Sequence, residues 1–473
     1  MSSPDAGSVP ATFARALDRL CAQSSPSMIA IACSGGLDSM ALLHLAARWC
    51  QEHGNPLHVL HVHHGLSSNA DAWERHVESS SAALGLGFAV RRVQVDSAGA
   101  GLEAAARKLR YRALGDMCRE AGANLLLTAH HLDDQAETVL LQLLRGSGPA
   151  GLSGMDAANS APELLGNPDL VMARPLLPLA RAELEAYARD AGLDWVDDES
   201  NVDTRYARNA LRHTVMPALN QAFPGFQQRF ARSAAHAQSA QRLLTELAEG
   251  DLAALLVDGA IDGAIDIAPL RTMSLDRVYN LLRHWFARQS LAMPSTAWLA
   301  EMVAQLLEAR SDAQLLVTHP ACHIRRHRDR LYITPKLADL PGMRDPDDEG
   351  VLEKEGAAFR WQGEAQLAFP DYGGVLHFDA AETGFDPAWL RAQPLTIDFR
   401  KGGERLKLAH NRPTRPLKAH YQAAGVPAWE RARLPIVSSG RDLLFAAGLG
   451  MDCHHFSAGA TGAISLRWEA KPE

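Results

Sequence analysis

The chain has 473 residues, 47% hydrophobic and 22% charged, with a formal net charge of −8. That length exceeds one ordinary core and points to about three domains, while the composition excludes collagenous, low-complexity and disordered classes. No apolar run approaches the roughly 20 residues that span a bilayer, the N-terminus lacks a leader pattern, and the six cysteines form no CxxC pair. A cytoplasmic protein with no membrane association, disulfide framework or cysteine metal site is expected. The acidic total does not exclude a local basic patch, because charges further apart than about 8 to 10 Å are largely screened.

From Met28 to about Leu144, the runs MIAIAC, LHVLHV, FAVRRVQV and NLLLTA each precede an amphipathic stretch. This alternation predicts βα units on a parallel sheet. A fifth unit is expected with its strand at Asp169 to Met172 and its helix at Arg181 to Gly192, the alternation ending near Pro217. From about Gln227 to Arg310, Ala, Leu, Arg and Gln recur at helical spacing, which predicts a mainly helical region closed by two strands near Leu315 and Tyr332. Prolines, glycines and acids between Pro335 and Gly356 read as a linker. The expected organisation is an α/β parallel-sheet nucleotide-binding domain at 1–217 with strand order 3-2-1-4-5, a mainly helical middle domain at 218–335, a linker at 336–356, and a small basic α+β domain at 357–473.

Ser34, Gly35, Gly36, Leu37, Asp38 and Ser39 follow the first strand directly and lead into the helix of MALLHLAARW. Glycines let successive N–H groups and a helix N-terminus approach a polyphosphate closely. The lysine of a Walker A loop is absent. The loop resembles the SGGxDS loop of the PP-loop ATP pyrophosphatases, which split ATP between its α and β phosphates and adenylate a carbonyl-type oxygen.

After NLLLTA comes the run His130-His131-Leu132-Asp133-Asp134-Gln135-Ala136-Glu137-Thr138. With strand order 3-2-1-4-5, the loops after strands 1 and 4 flank the point where the winding reverses, so this run is expected to face the phosphate loop. Asp133 and Asp134 each stand about one turn from Glu137, so carboxylates can converge on Mg²⁺ carried by ATP or on an ammonium group. Acids in a first turn also simply complement the helix dipole. Opposite a phosphate loop the functional reading is favoured, with Asp38 and Asp134 as candidate Mg²⁺ ligands and His130 as a candidate ATP contact. His58, His61, His63 and His64 have no carboxylate at a familiar ligand spacing, and no metal site is expected there.

Glu103, Arg107 and Arg110 flank an apolar helical stripe and can look into the site, and Arg205, Arg208, Asn209 and Arg212 form a second basic group. Between Arg400 and Arg433 stand Arg400, Lys401, Arg405, Lys407, Arg412, Arg415, Lys418, Arg431 and Arg433 against Glu404 and Glu430. This local excess, with Phe399, His420, Tyr421 and Trp429 interleaved, suits phosphate contact with occasional base stacking. HIRRHRDR, from His323 to Arg330, is a further basic spot.

The strings HVHHGLSSNADAW, EAAARKLRYRAL, TAHHLDDQAETVLLQLLRGSGPAGLSGM, RPLL and DESNVDTRYARNALR resemble the tRNA(Ile)-lysidine synthetase family, and FRKGGERLKLAHNRPTRPLKAHYQAAGVPAWERARLPIV resembles its C-terminal domain. Ser67 departs from the pattern, where relatives often carry arginine. The resemblance implies an ATP- and Mg²⁺-dependent ligase that joins free L-lysine to the wobble cytidine of isoleucine tRNA with a CAU anticodon. It places ATP on Ser34 to Ser39, and Asp38, Asp133, Asp134, Glu137, Arg107 and Arg208 in the chemistry. Arg110, Arg205, Arg212, Arg400, Lys401, Arg405, Arg415, Lys418 and Arg431 are the expected tRNA contacts. Which carboxylate serves lysine stays open, and so does a homodimer. Two alternatives stand beside this reading. A tRNA base thiolase would need a sulfur-carrying cysteine or an iron–sulfur cluster, and only Cys33 adjoins the loop. A non-catalytic RNA-binding protein would not require Asp38 together with the three carboxylates.

Overall fold

The computed structural model of the chain describes residues 7–65, 67–94, 102–197, 205, 207–256, 264–308, 315–336, 356–457 and 462–471. The chain forms two compact units, Met1–Leu247 and Ala248–Glu473. Among the described residues, no helix is long and apolar enough to cross a membrane.

The first unit opens with helix α1 (Val9–Ser24), whose first turn is capped by the Ser8 hydroxyl. Strands β1 (Ile29–Ala32), β2 (Leu57–His63), β3 (Gly87–Arg92), β4 (Leu125–Leu127), β5 (Ala158–Ser160) and β6 (Val171–Ala173) form one sheet in the order β3-β2-β1-β4-β6-β5. All pairings are parallel except β5 with β6. The expected order 3-2-1-4-5 is therefore present, with β6 as the fifth parallel strand. An antiparallel edge strand, too short and polar to register in the sequence, is added beside it.

β1 lies at the centre because Ile29, Ala30 and Ile31 are apolar on both faces, the mark of a parallel strand covered on each side. One face packs on α1, α2 (Leu37–His53) and α6 (Arg181–Asp190), through Phe13, Leu17, Leu42, Leu43, Leu184 and Ala188. The other packs on α4 (Leu102–Ala121) through Tyr111, Leu114, Met117 and Cys118. Helices α3 (Ala70–Ala83) and α5 (Leu132–Leu144) complete the βα units. Then Ala207–Ala210, a π turn at Leu211–Val215 and Met216–Ala222 follow in succession, before the long α7 (Phe226–Leu255), within which the division between the two units falls.

In the second unit, α8 (Leu275–Arg288) and α9 (Thr296–Glu308) cover a sheet of β7 (Ile265–Asp266), β8 (Leu316–Thr318), β9 (Cys322–His327) and β10 (Arg330–Pro335), ordered β7-β10-β9-β8. The strands expected near Leu315 and Tyr332 are β8 and β10. HIRRHRDR proves to be β9 with its turn: Cys322, Ile324 and Arg326 face inward, and buried Arg326 reaches Asp329 at 3.2 Å. Its charges concealed the alternation of a strand.

The expected linker 336–356 lies mostly outside the described residues. The C-terminal part holds a five-stranded sheet of β11 (Ala357–Phe359), β14 (Leu395–Asp398), β17 (Ile436–Ser439), β18 (Asp442–Ala446) and β19 (Gly450–Met451). A three-stranded sheet of β12 (Gln366–Phe369), β13 (Gly374–Ala381) and β20 (Ala463–Ala470) shares its core. A two-stranded ribbon, β15 (Arg405–Leu406) and β16 (Arg415–Pro416), and helices α10 (Pro387–Ala392), α11 (Leu417–Ala423) and α12 (Ala428–Arg431) complete it.

Candidate active site

The loop between β1 and α2 is shaped to receive an anion. Gly35 has φ 90, and a Cβ there would sit 3.1 Å from Val196 Cγ2 and 3.2 Å from Val77 Cγ2, so only glycine suits the position. Gly36 caps α2 without a side-chain bond, leaving the first amides of the helix without intrahelical acceptors. The Ser39 hydroxyl accepts from Ser34 N at 3.2 Å and Gly35 N at 3.1 Å and donates to the Gly36 carbonyl at 2.9 Å. Those two amides thus converge on one hydroxyl oxygen at the start of α2. Cys33 lies buried behind Ser39, and burial pushes its thiol pKa up, the opposite of a reactive sulfur carrier.

The histidine–aspartate run meets this loop across the sheet's carboxyl edge. His131 Nε2 is 3.6 Å from Asp38 Oδ2. His131 also caps α5: its Nδ1 accepts from Asp134 N at 3.4 Å, while Asp134 Oδ2 accepts from His131 N at 3.1 Å. Burial opposes charge on His131, yet its bond to Asp38 and the charges of Asp134, Asp38 and Asp133 outweigh burial and raise its pKa. For Asp134, burial acts upward, but His131, His130 and Arg208 together hold the carboxyl below its usual range. His130, bonded through Nδ1 to Thr128 Oγ1 at 3.0 Å, behaves oppositely to its neighbour. Burial is the main cause, with Arg174, Arg107 and Arg208 countering the pull of Asp134, and its pKa falls to about 3. It is a neutral hydrogen-bonding group at pH 7.

Two carboxylates of α5, Asp134 and Glu137, converge on Arg212, while Asp133 does not join them. Glu137 is 1% exposed and is held by two arginines: Arg208 Nε at 2.8 Å from Oε2, and Arg212 Nε at 2.7 Å from Oε1 with Nη2 at 3.0 Å from Oε2. Arg212 Nη2 also reaches Asp134 Oδ1 at 3.2 Å, and Arg208 Nη2 reaches Thr138 Oγ1 at 3.2 Å. Asp133 turns elsewhere, accepting from Arg181 N at 2.8 Å and from Gln227 Nε2 at 3.2 Å, and so ties α5 to α6 and α7.

A cavity of about 380 Å³ opens between the two motifs. Ser34, Asp38, Ser39, His130, Asp134 and Arg212 line it, with Arg110 and Tyr111 of α4, His61, His63 and His64 at the end of β2, and Arg181. Sequence reasoning passed over Arg181, whose Nε is 3.8 Å from Asp38 Oδ1. Its signal was position alone, at the start of the helix that follows the fifth parallel strand, where cleft residues of such sheets gather. Arg107 and Arg110 lie over the Tyr111 ring, with Cζ 4.9 and 5.6 Å from its centroid. Arg205 is exposed, whereas the DESNVDT segment after Asp197, and the side chain of Glu103, fall outside the described residues.

Mg²⁺ fits Asp38 better than Asp134. Asp38 Oδ1 is buried and accepts no hydrogen bond among the described residues, as suits a single carboxylate ligand beside substrate phosphates. Both oxygens of Asp134 are already engaged, by His131 N and Arg212. The histidines of β2 require a correction: His63 does acquire carboxylates in space, lying 3.2 Å from Asp71 and grouped with Glu74. Arg92 pairs with both acids at 3.0 and 2.9 Å and offsets one of their two charges, so the group is already engaged in an ion cluster. His61 Nδ1 bonds the Cys33 carbonyl at 2.9 Å.

Within the second unit, Arg405, Arg415 and Lys418 are exposed, and Arg400 and Arg431 are half-buried. Lys401 Nζ pairs with Asp398 at 2.8 Å, and Arg405 Nη2 donates to the Thr414 carbonyl at 2.9 Å. Two of the four aromatic residues correct the expectation of base stacking. Phe399 and Tyr421 are 4% and 0% exposed, and the Tyr421 hydroxyl donates to the Ala447 carbonyl at 2.7 Å, so both belong to the core.

Backbone amides, a helix N-terminus and a buried carboxylate oxygen facing Arg181 at the reversal of a parallel sheet suit an ATP-using PP-loop enzyme, and comparison agrees. The family model described as a PP-loop domain matches residues 10–219; those described as the TilS substrate binding domain and the TilS substrate C-terminal domain match 265–332 and 395–468. The chain is 45% identical over 429 residues to a tRNA(Ile)-lysidine synthase of Ralstonia nicotianae, covering 90% of this chain and 89% of the relative. It is 44% identical to that of Burkholderia pseudomallei, covering 92% and 91%, and 41% identical to that of Alkalilimnicola ehrlichii, covering 93% of each. The chain belongs to the tRNA(Ile)-lysidine synthase family, whose members are ATP-dependent ligases.

Proposed function

We propose that the chain converts the wobble cytidine of an isoleucine tRNA with a CAU anticodon to lysidine, consuming ATP and free L-lysine. The C2 oxygen attacks the α-phosphorus, the bond to the β-phosphate oxygen breaks, and pyrophosphate leaves. The ε-nitrogen of lysine then attacks C2, the C2–O bond breaks with AMP as leaving group, and the proton lost from nitrogen passes to a carboxylate. Lysine's amine, with a reference pKa of about 10.4, requires that acceptor or an ionic anchor.

In this reading, the amides of Ser34 to Ser39 hold the phosphates and neutral His130 contacts the nucleotide. A Mg²⁺ ion on Asp38 would neutralise charge that builds on the phosphate oxygens. Of the three carboxylates Asp134 is the one that lines the cavity, and it would serve lysine as an ionic anchor beside its bonds to His131 N and Arg212, while Glu137 is enclosed by Arg208 and Arg212 and Asp133 braces the helices. Arg107, Arg110 and Arg208 hold the adenylated base or anticodon phosphates. Residues 1–217 carry adenylation, and 357–473 carry tRNA binding through Arg400, Lys401, Arg405, Arg415, Lys418 and Arg431, in the cytoplasm.

The observation that supports this reading most directly is the 3.6 Å approach of His131 to Asp38, which joins phosphate loop and acidic helix in one cleft. The test is incubation with CAU-anticodon tRNA, ATP and labelled lysine, followed by nucleoside analysis. Label in lysidine that requires both ATP and the CAU anticodon is the expected outcome; sulfur incorporation, or binding without label, refutes it.

A further inference from the structure

The two basic clusters that lie far apart in the sequence meet inside the second unit. Three side chains of the β9–β10 hairpin surround Trp429: Arg325 Cζ lies 5.3 Å from the ring centroid, and the His327 and Tyr332 rings stand edge-on at 5.9 and 5.7 Å. The hairpin turn carries Arg328 at φ 55, a left-handed conformation that costs a non-glycine residue about 1–2 kcal/mol. From that strained position its Nη2 donates to the Gln422 carbonyl at 2.6 Å, at the C-terminal end of α11.

Two more guanidinium groups close on the same segment. Arg431 Nε donates to the Val426 carbonyl at 2.6 Å. Arg400 lies over the Tyr421 ring with Cζ 5.4 Å from its centroid, and its Nε is buried without a hydrogen-bond partner among the described residues. Among the described residues, none of the three is ion-paired with a carboxylate. Bonds to backbone carbonyls, of Gln422 at the end of α11 and of Val426 in the loop after it, account for one N–H each of Arg328 and Arg431 and none of Arg400, out of five donors per guanidinium. Burial, together with the charges of Arg400 and Arg328, pushes the pKa of Arg431 down. Three like charges gathered without a counterion among the described residues, one of them at a strained turn, describe a place suited to an anion.

We propose that Arg328, Arg400 and Arg431 form a single site for a backbone phosphate of the RNA substrate, bridging the β9–β10 hairpin to the C-terminal helices. The inference rests on the tRNA reading above. An RNA phosphodiester is favoured over a small metabolite because Arg328 is exposed and the site continues into the positively charged 400–433 segment, with exposed Lys418 on the same helix. The site also explains why the hairpin is docked on Trp429: a phosphate clamped between two modules requires them to hold one spacing.

The test is binding of labelled CAU-anticodon tRNA by fluorescence anisotropy across a salt series, with full-length wild type, Arg328→Gly and Arg431→Gln. Each variant should lose several-fold in affinity near 0.1 M salt and lower the slope of log K against log salt by about one, the signature of one lost phosphate contact. Arg328→Gly also relieves the left-handed strain, so its melting temperature should not fall, and lost affinity cannot be ascribed to unfolding. Unchanged affinity and slope in Arg328→Gly, while wild type makes lysidine, overturns the site and leaves the function standing. Weaker binding with an unchanged slope overturns it as well. Failure of wild type to bind tRNA at all removes the tRNA reading, and this site with it.

Discussion

Glu137→Gln isolates the interaction that orders the arginine side of the cleft. The substitution keeps the shape of the side chain and removes its charge, leaving Arg208 and Arg212 against a neutral group. Their side chains are 29% and 32% exposed and Glu137 is 1%, so the cluster is buried on one side only. Breaking a buried pair costs about 3–5 kcal/mol, and partial exposure of the arginines places this case near the lower end. Asp134 at 3.2 Å from Arg212 retains part of the attraction. A loss of about 3 kcal/mol corresponds to a drop of roughly 6–12 °C in the melting transition of the first unit, at about 2–4 °C per kcal/mol for a body of that size. The assay is differential scanning calorimetry of Glu137→Gln, Arg212→Met and the double variant. The double variant should recover at least about 1 kcal/mol relative to the sum of the single losses, because each single variant leaves an unmatched partner. A melting temperature within 2 °C of wild type, or strict additivity, would show that the cluster is not the brace described above.

Gly35→Ala should leave the fold intact and weaken ATP binding by about tenfold or more, since the backbone at φ 90 is strained by about 1–3 kcal/mol and the new methyl meets Val196 and Val77; isothermal titration with ATP would detect it, and unchanged affinity would exclude the loop geometry as the cause of binding. The sign of the pH dependence follows from His130. Its folded pKa of about 3 lies below the unfolded value of about 6.5, so in that interval the unfolded chain binds more protons and stability falls on acidification. Asp134, with a depressed pKa, loses its contribution at the acid end of the same range, whereas His131, with a raised pKa, is most stabilising below its unfolded value and opposes the trend. His130→Gln should therefore lose less stability than wild type between pH 7 and 4.5 in thermal melts, and equal losses would contradict the buried neutral state.

Local sequence determined the parts that depend on neighbours in the chain. Ser34 to Ser39 could be read as an anion loop because glycine conformation and a following helix are local properties, and the βα alternation implied parallel strands, though not by itself which strand neighbours which. The second histidine of HHLDD is different: His131 caps α5 through a local bond to Asp134 N, but it became the link to Asp38 only when β1 and β4 were paired. The carboxylates looked equivalent along one helix, yet the arrival of Arg208 and Arg212 from one side and Arg181 N from the other gave Glu137, Asp134 and Asp133 three different environments. Tyr421 and Phe399 appeared available to a nucleic acid until packing placed them in the core, while Arg328 appeared an ordinary surface charge until the hairpin turn set it beside Arg400 and Arg431. Backbone preference and hydrophobic period are written residue by residue, but desolvation and ion pairing depend on distances through space, which arise only once the sheets and helices have closed around these side chains.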